Sequence, residues 1–167
     1  MIVKGKVWKF GDDISTDHIA PGRYFHLRTN LSELAKHVLE DAREDFPERV
    51  EKGDMIVAGK NFGMGSSREH APRIMKLAGV SCVIAKSFAR IFYRNSINIG
   101  LPLVELKEAE EISEGDVVEV DLKNGTVENL TKRKTYKFKP MPDFILKIVE
   151  KGGIKNYIKE FGDYFVE

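Results

Sequence analysis

The 167-residue chain carries 27 Lys+Arg against 26 Asp+Glu, a formal net charge of +1, and 42% of its residues are hydrophobic. That near-balance excludes a broadly basic nucleic-acid or anionic-membrane binder, and the apolar content excludes a wholly disordered chain. No apolar run approaches the roughly 20 residues of a membrane span. The stretch from Met1 to Phe10 also lacks the apolar core of a secretory leader, so the expectation is a cytoplasmic protein with neither membrane nor nucleic acid as partner. The length reads as one domain, 1–167, with no internal repeat and no Pro/Gly/Ser linker to divide it. The single cysteine, Cys82, sits in the apolar run Val80 to Ile84; it reads as packing, and alone it cannot hold an iron–sulfur cluster or a structural zinc.

In chain order, Ile2 to Phe10 mixes β-formers with alternating lysines and predicts a strand, ended by Gly11-Asp12-Asp13. A long polar loop follows to about Asn30. Ser32 then reads as the N-cap of a helix presenting Leu34, Ala35, Val38 and Leu39 on one face. Met55 to Ala58 predicts a short buried strand, Gly59 to Ser67 a loop, and Arg68 to Leu77 a helix stopped by Gly79. Cys82 to Ala85 is a second buried strand, a helix begins around Phe88, and Leu101 to Leu106 is a third strand. This alternation implies parallel pairing with crossover connections. The last third changes character. Val117 to Leu122 and Thr126 to Leu130 flank Asn124-Gly125 as a two-residue hairpin, and Thr135 to Phe138 adds a strand. Pro142 opens a helix with Phe144, Ile145, Ile148 and Val149 inward, Gly152-Gly153 ends it, and a helix from Ile154 to Phe161 closes the chain.

The loop Gly63-Met64-Gly65-Ser66-Ser67-Arg68 carries the chemistry. Glycines permit positive φ and close backbone approach, a helix start offers unpartnered amides, and a guanidinium grips a carboxylate or phosphate through two nitrogens. A glycine-rich turn with a capping serine is the structural alternative. Nucleotide motifs do not fit: Lys60 precedes the glycines, and Arg68 occupies the place of the third glycine in GxGxxG.

Gly65-Ser66-Ser67-Arg68-Glu69-His70-Ala71 resembles the signature of the swivelling domain of the aconitase superfamily. Asp12 to Gly22 resembles that domain's opening motif, and Ala85 to Asn95, followed by Asn98 to Leu101, resembles its third block. The blocks occur in family order across nearly the whole chain. The resemblance implies an α/β fold, a swivelling β/β/α layered domain of the aconitase type. A free-standing chain of this kind is similar to the small subunits of the superfamily's isopropylmalate group. It implies a hydro-lyase that interconverts 2- and 3-isopropylmalate in leucine biosynthesis by dehydration and rehydration, active only with a large subunit. That partner would carry a [4Fe–4S] cluster, with no cofactor bound by this chain.

By the same resemblance Ser66 is the base that takes the proton from carbon, Ser67 and Arg68 bind substrate carboxylates, and Asp17 orients an arginine or, alternatively, caps a turn. An alkoxide at Ser66 would draw on the helix start after the loop and on the charge of Arg68. His70 reads as a structural hydrogen-bonding residue, His18 has no metal-site spacing, and Arg90 and Arg94 serve either internal ion pairs or a subunit interface. The loop Arg23 to Thr29 resembles the Leu-Arg-Thr pattern of homoaconitase-type subunits, where Arg28 would pair with an additional substrate carboxylate. The substrate is therefore a hydroxy di- or tricarboxylate, with homoaconitase or 2,3-dimethylmalate dehydratase as alternatives. A more distant alternative is an isolated anion- or RNA-binding module.

Overall fold

The fold turns on its first strand. In the computed structural model, which describes residues 1–162, β1 (Ile2–Lys9) pairs through Ile2 to Lys6 with one antiparallel neighbour and through Val7 to Lys9 with a parallel one. Gly5 stands just before the change of partner, where a Cβ would lie 2.0 Å from the carbonyl oxygen of Gly53. A short helix α1 (Thr16–Ile19), a 3-10 turn (Gly22–Leu27), α2 (Leu31–Ala35) and α3 (Phe46–Arg49) lead to β2 (Met55–Ala58). Then come α4 (His70–Leu77), β3 (Cys82–Ala85), α5 (Arg90–Asn98) and β4 (Leu103–Glu105). The antiparallel part is β5 (Val117–Asp121), β6 (Thr126–Asn129) and β7 (Lys134–Lys137), followed by α6 (Asp143–Glu150) and α7 (Ile154–Phe161).

All seven strands form one mixed sheet in the order β4-β3-β2-β1-β5-β6-β7. β1 to β4 run parallel, as the strand–helix alternation predicts, while β1, β5, β6 and β7 form an antiparallel meander. The parallel strands are buried on both faces, so they read as unbroken apolar runs rather than alternating ones. Ile56, Ala58, Val83 and Ala85 point to a core shared with Phe46, Leu34, Ile74 and Phe62. Met55, Val57, Cys82 and Ile84 point to the opposite core, closed by Leu146, Ile148, Val149 and Tyr157. Trp8 Nε1 donates to the buried Asp54 carboxylate at 2.8 Å, which satisfies a charge next to the first residue of β2.

Several expectations need correcting. The polar segment before Asn30 contains α1, whose N-cap Ser15 shares a reciprocal capping box with His18. Asn30, not Ser32, caps α2, and α2 stops before Val38 and Leu39, which reach the core from turns. Helix α3, with Pro47 in its first turn, has no counterpart in the sequence reading. The hairpin loop spans four residues, 122–125, because the Asp121 carboxylate accepts the amides of Lys123 and Asn124 and draws both into the turn. Phe144 is half exposed, with its edge against Tyr157, while Leu146 takes the inward position. Cys82 is fully buried, and burial pushes its thiol up to about 12, so it is inert packing.

Candidate active site

The site lies beyond the carboxyl ends of the parallel strands β1 to β3, where α/β sheets place their ligands. After β2 the chain does not leave the sheet at once. Asp13 N–H donates to Lys60 O at 2.8 Å, Gly63 N–H to Ile14 O at 2.7 Å, and Thr16 N–H to Met64 O at 2.8 Å. On the other side Phe62 N–H donates to Ser87 O at 3.1 Å and Ala89 N–H to Phe62 O at 3.0 Å. Single parallel bridges, Ser15 to Met64 and Phe62 to Phe88, thus carry the strand order outward and pin the glycine loop between the segments that open α1 and α5.

Gly63 is required by both conformation and space. Its φ is +85°, and a Cβ there would lie 2.1 Å from Cγ of Phe92, a core residue in the first turn of α5. Gly63→Ala is expected to destabilise the chain by about 2–4 kcal/mol through left-handed strain and overpacking. Urea denaturation of the isolated chain measures this as a lowered midpoint at unchanged slope.

This framework encloses a cavity of about 220 Å³. Thr16, Gly63, Gly65, Ser66, Ser67 and Arg68 form one wall, and Ala89 to Phe92 with Asn95 form the other. Ser66 and Ser67 are exposed. Arg68 is half-buried and anchored: one of its terminal nitrogens, Nη1, donates to Ala20 O at 2.8 Å and pairs with the Asp17 carboxylate. Its Nη2 and Nε have no partner among the described residues and remain available for a carboxylate. Asp17 is largely exposed, so the pair contributes at most about 1 kcal/mol to stability and acts chiefly by orientation.

The helix start at the cavity differs from the expected one. α4 begins at His70, four residues beyond Ser66, whereas the wall opposite Ser66 is the first turn of α5, whose N-cap Ala89 supplies no side-chain bond. The partial positive charge of a helix start at the cavity therefore comes from α5, whose first residue, Arg90, lines it. Arg90 and Arg94 take part in no ion pair among the described residues, which sets aside the internal-pair reading for both.

Arg28 stands outside the 220 Å³ cavity. It is exposed after the 3-10 turn, bonded to Phe25 O at 3.2 Å, with its guanidinium 4.3 Å from the Phe25 ring centroid. The Phe25 ring meets His70 edge-on at 6.1 Å. Burial, then the charges of Arg68 and Arg28, hold His70 below its ordinary value of 6.5, so the imidazole is mainly neutral at pH 7. The His70 side chain is thus packed against an aromatic ring, with no side-chain hydrogen bond among the described residues, in place of the expected hydrogen-bonding role. His18 completes the Ser15 cap.

Nothing in the local sequence marks Thr16, Phe92 or Asn95 as residues of the site. Thr16 lies within Asp12 to Gly22, and Phe92 and Asn95 within Ala85 to Asn95, but only the tertiary fold brings them to the cavity. A larger hollow of about 670 Å³ lies between α4, α5 and Gly152-Gly153. It shares Asn95 with the smaller cavity and contains none of the Ser66 to Arg68 segment, so the smaller cavity is taken as the site.

Among the described residues, no group of three or more His, Cys, Asp or Glu converges as a metal site, and no helix is long and apolar enough to cross a membrane. The chain matches the aconitase C-terminal domain family over residues 16–109. It is 68% identical over 163 residues to 3-isopropylmalate dehydratase small subunit 1 of Thermotoga maritima, covering 98% of each chain. The chain belongs to the 3-isopropylmalate dehydratase small-subunit family. A second member, small subunit 2 of Archaeoglobus fulgidus, is 61% identical over 163 residues, again covering 98% of each chain. The crystal structure of 3-isopropylmalate dehydratase from Methanocaldococcus jannaschii superposes with a TM-score of 0.90 at 48% identity, covering 96% of this chain and 95% of that one. In this small-subunit family, the swivelling α/β domain of the aconitase type is accordingly the fold of the chain, and the chain is part of a hydro-lyase.

Proposed function

We propose that this chain, as a single swivelling domain in the cytoplasm, is the small subunit of the hydro-lyase that interconverts 2- and 3-isopropylmalate, and that it works only with a large subunit. The observation that carries the reading is the convergence of Ser66, Ser67 and an Asp17-anchored Arg68 on one cavity. The described residues offer no ligand set for a [4Fe–4S] cluster, and the one thiol is buried in the core. We place the cluster on the large subunit, where it supplies the Lewis acid of the reaction.

On this chain, Arg68 and Ser67 hold a substrate carboxylate, and Ser66 Oγ, having given its own proton to water before the site closes, takes the proton from the carbon next to the hydroxyl-bearing one. The same oxygen returns that proton when water adds back to the cis-alkene in the other orientation. An alkoxide at Ser66 is favoured by Arg68, Arg90 and the first turn of α5, provided water is excluded. Exclusion falls to the partner: Met64 and Ile91 beside the cavity and Phe25 against His70 are exposed apolar side chains suited to being covered.

A second substrate is favoured by one observation. Arg28 has no carboxylate partner among the described residues, and its charge is felt at His70, two positions after Arg68. There it would pair with the additional carboxylate of a homoaconitase-type tricarboxylate.

The test is anaerobic reconstitution with a cluster-loaded large subunit, following alkene absorbance with 3-isopropylmalate, homocitrate and dimethylmaleate in parallel. Turnover of 3-isopropylmalate by the pair, with none by the isolated chain, is expected; activity of the isolated chain would overturn the assignment. In the same assay Arg28→Ala is expected to lower kcat/KM for homocitrate about 10- to 100-fold, the worth of one charge-assisted contact. The 3-isopropylmalate value should change less than about threefold. Equal changes on both substrates would return Arg28 to a solvent role.

A further inference from the structure

We propose that Thr16 is a positioning residue for Ser66: its hydroxyl holds the serine in place and turns to donate a hydrogen bond to Ser66 Oγ when that oxygen has lost its proton. The inference rests on the reading of Ser66 as the base. Thr16 is only 2% exposed, although it stands in the first turn of a four-residue helix at the cavity wall. Burying a hydroxyl is costly unless it is bonded, and this one is bonded twice to the same residue. Thr16 Oγ1 donates to Ser66 O at 3.0 Å and lies 3.3 Å from Ser66 Oγ.

A hydroxyl carries one proton. With that proton on Ser66 O, the second contact is made by Ser66 Oγ–H donating to Thr16 Oγ1. The resting geometry therefore describes a protonated serine, with a long bond that ionisation would shorten. The Ser66 carbonyl also accepts the Arg68 N–H at 2.9 Å. It keeps a partner when Thr16 rotates away, so the hydroxyl is free to turn to an ionised Oγ by rotation about a single bond, with no backbone movement.

The surroundings hold Thr16 for this role. Its N–H donates to Met64 O at 2.8 Å, and its carbonyl accepts from Ala20 N at 2.8 Å. Gly65, at φ +105°, leaves the space next to it, since a Cβ there would stand 3.2 Å from Thr16 Oγ1. The charged groups lining the cavity are Arg68 and Arg90; Asp17 of α1 pairs with Arg68, His18 of α1 completes the Ser15 cap, and His70 of α4 feels the charge of Arg68.

The experiment compares Thr16→Val, Thr16→Ala and Thr16→Ser in the enzyme reconstituted with its large subunit. Valine keeps the branched shape and leaves Ser66 O bonded to Arg68; alanine is a second variant without a donor. Both are expected to lower kcat about 10²- to 10³-fold, as loss of an oxyanion donor does, with KM changed less than about threefold. The acid limb of the kcat–pH profile should move to higher pH, because an alkoxide without its donor forms less readily. Thr16→Ser, which restores the hydroxyl, is expected to stay within about fivefold of the parent. Thermal midpoints of the isolated variants separate folding loss from this effect.

A parent-like kcat and pH profile in both non-donating variants, or a serine variant as impaired as they are, would overturn the role of Thr16. Ser66→Ala, run alongside, keeps the two readings apart. If it retains activity, the base itself is misassigned; if it is inactive while Thr16→Val is unaffected, only the inference about Thr16 fails.

Discussion

Ser66→Ala is expected to reduce kcat of the assembled enzyme by roughly 10³- to 10⁴-fold, the upper range for losing a positioned general base. The fold should be untouched. Ser66 is exposed, and its hydroxyl contacts only Thr16 Oγ1 among the described residues. The alanine variant leaves Thr16 donating to the carbonyl of residue 66, so no buried group loses its partner. Exposed substitutions of this kind change stability within about 0.5 kcal/mol, a shift of about 1–2 °C in thermal midpoint for a chain of this size. With substrate binding assigned to Arg68 and Ser67 in the proposed mechanism, KM is expected to change little, and the loss should fall on kcat. Steady-state kinetics with the reconstituted pair measure this split. A variant keeping a tenth or more of the parent kcat would make Ser66 a loop cap and move the base to the partner subunit.

The part of this site legible in the sequence is the part built from adjacent residues. Gly63, Gly65, Ser66, Ser67 and Arg68 lie within six positions, and local chemistry marks them as a loop able to meet an anion. The strands β2 and β3 were legible for a related reason: burial on both faces makes Met55 to Ala58 and Cys82 to Ala85 continuous apolar runs between glycines and charges. What could not be read depends on partners distant in sequence. The loop is fixed by single bridges to Ser15 and Phe88, and its Gly63 exists to clear Phe92, 29 positions away. Nothing in the spacing says that α5, and not α4, presents its first turn to the cavity. α1 escaped notice because its capping partner is His18, whereas the usual capping box sets Glu or Gln at that position. Val38 and Leu39 mimic a helical stripe but reach the core from turns, with Leu39 at φ +56° and its N–H donating to Ile19 O at 3.0 Å.

Arg68→Ala should cost the assembled enzyme about 10²- to 10⁴-fold in kcat/KM, because two charge-assisted bonds to a carboxylate are each worth about 1.5–3 kcal/mol. Arg68→Lys restores the charge but not the fork. One nitrogen cannot satisfy Asp17 and Ala20 O while also reaching a carboxylate through two atoms, so lysine is expected to remain at least about tenfold below the parent. A second readout needs no partner subunit. The cation at position 68 is, after burial, the largest influence holding His70 below 6.5, ahead of Arg28. Removing a neighbouring positive charge favours the imidazolium, so Arg68→Ala should raise the His70 pKa, and Arg28→Ala should raise it by less; burial keeps both below the ordinary value. Proton-detected NMR titration of the isolated chain measures each shift. Because folded His70 protonates at lower pH than the unfolded chain, its contribution to stability is fully present above about pH 6.5 and is lost as pH falls through the folded value. Arg68→Ala narrows that window from its lower edge. An unmoved His70 would mean that solvent screens the Arg68 charge from the imidazole.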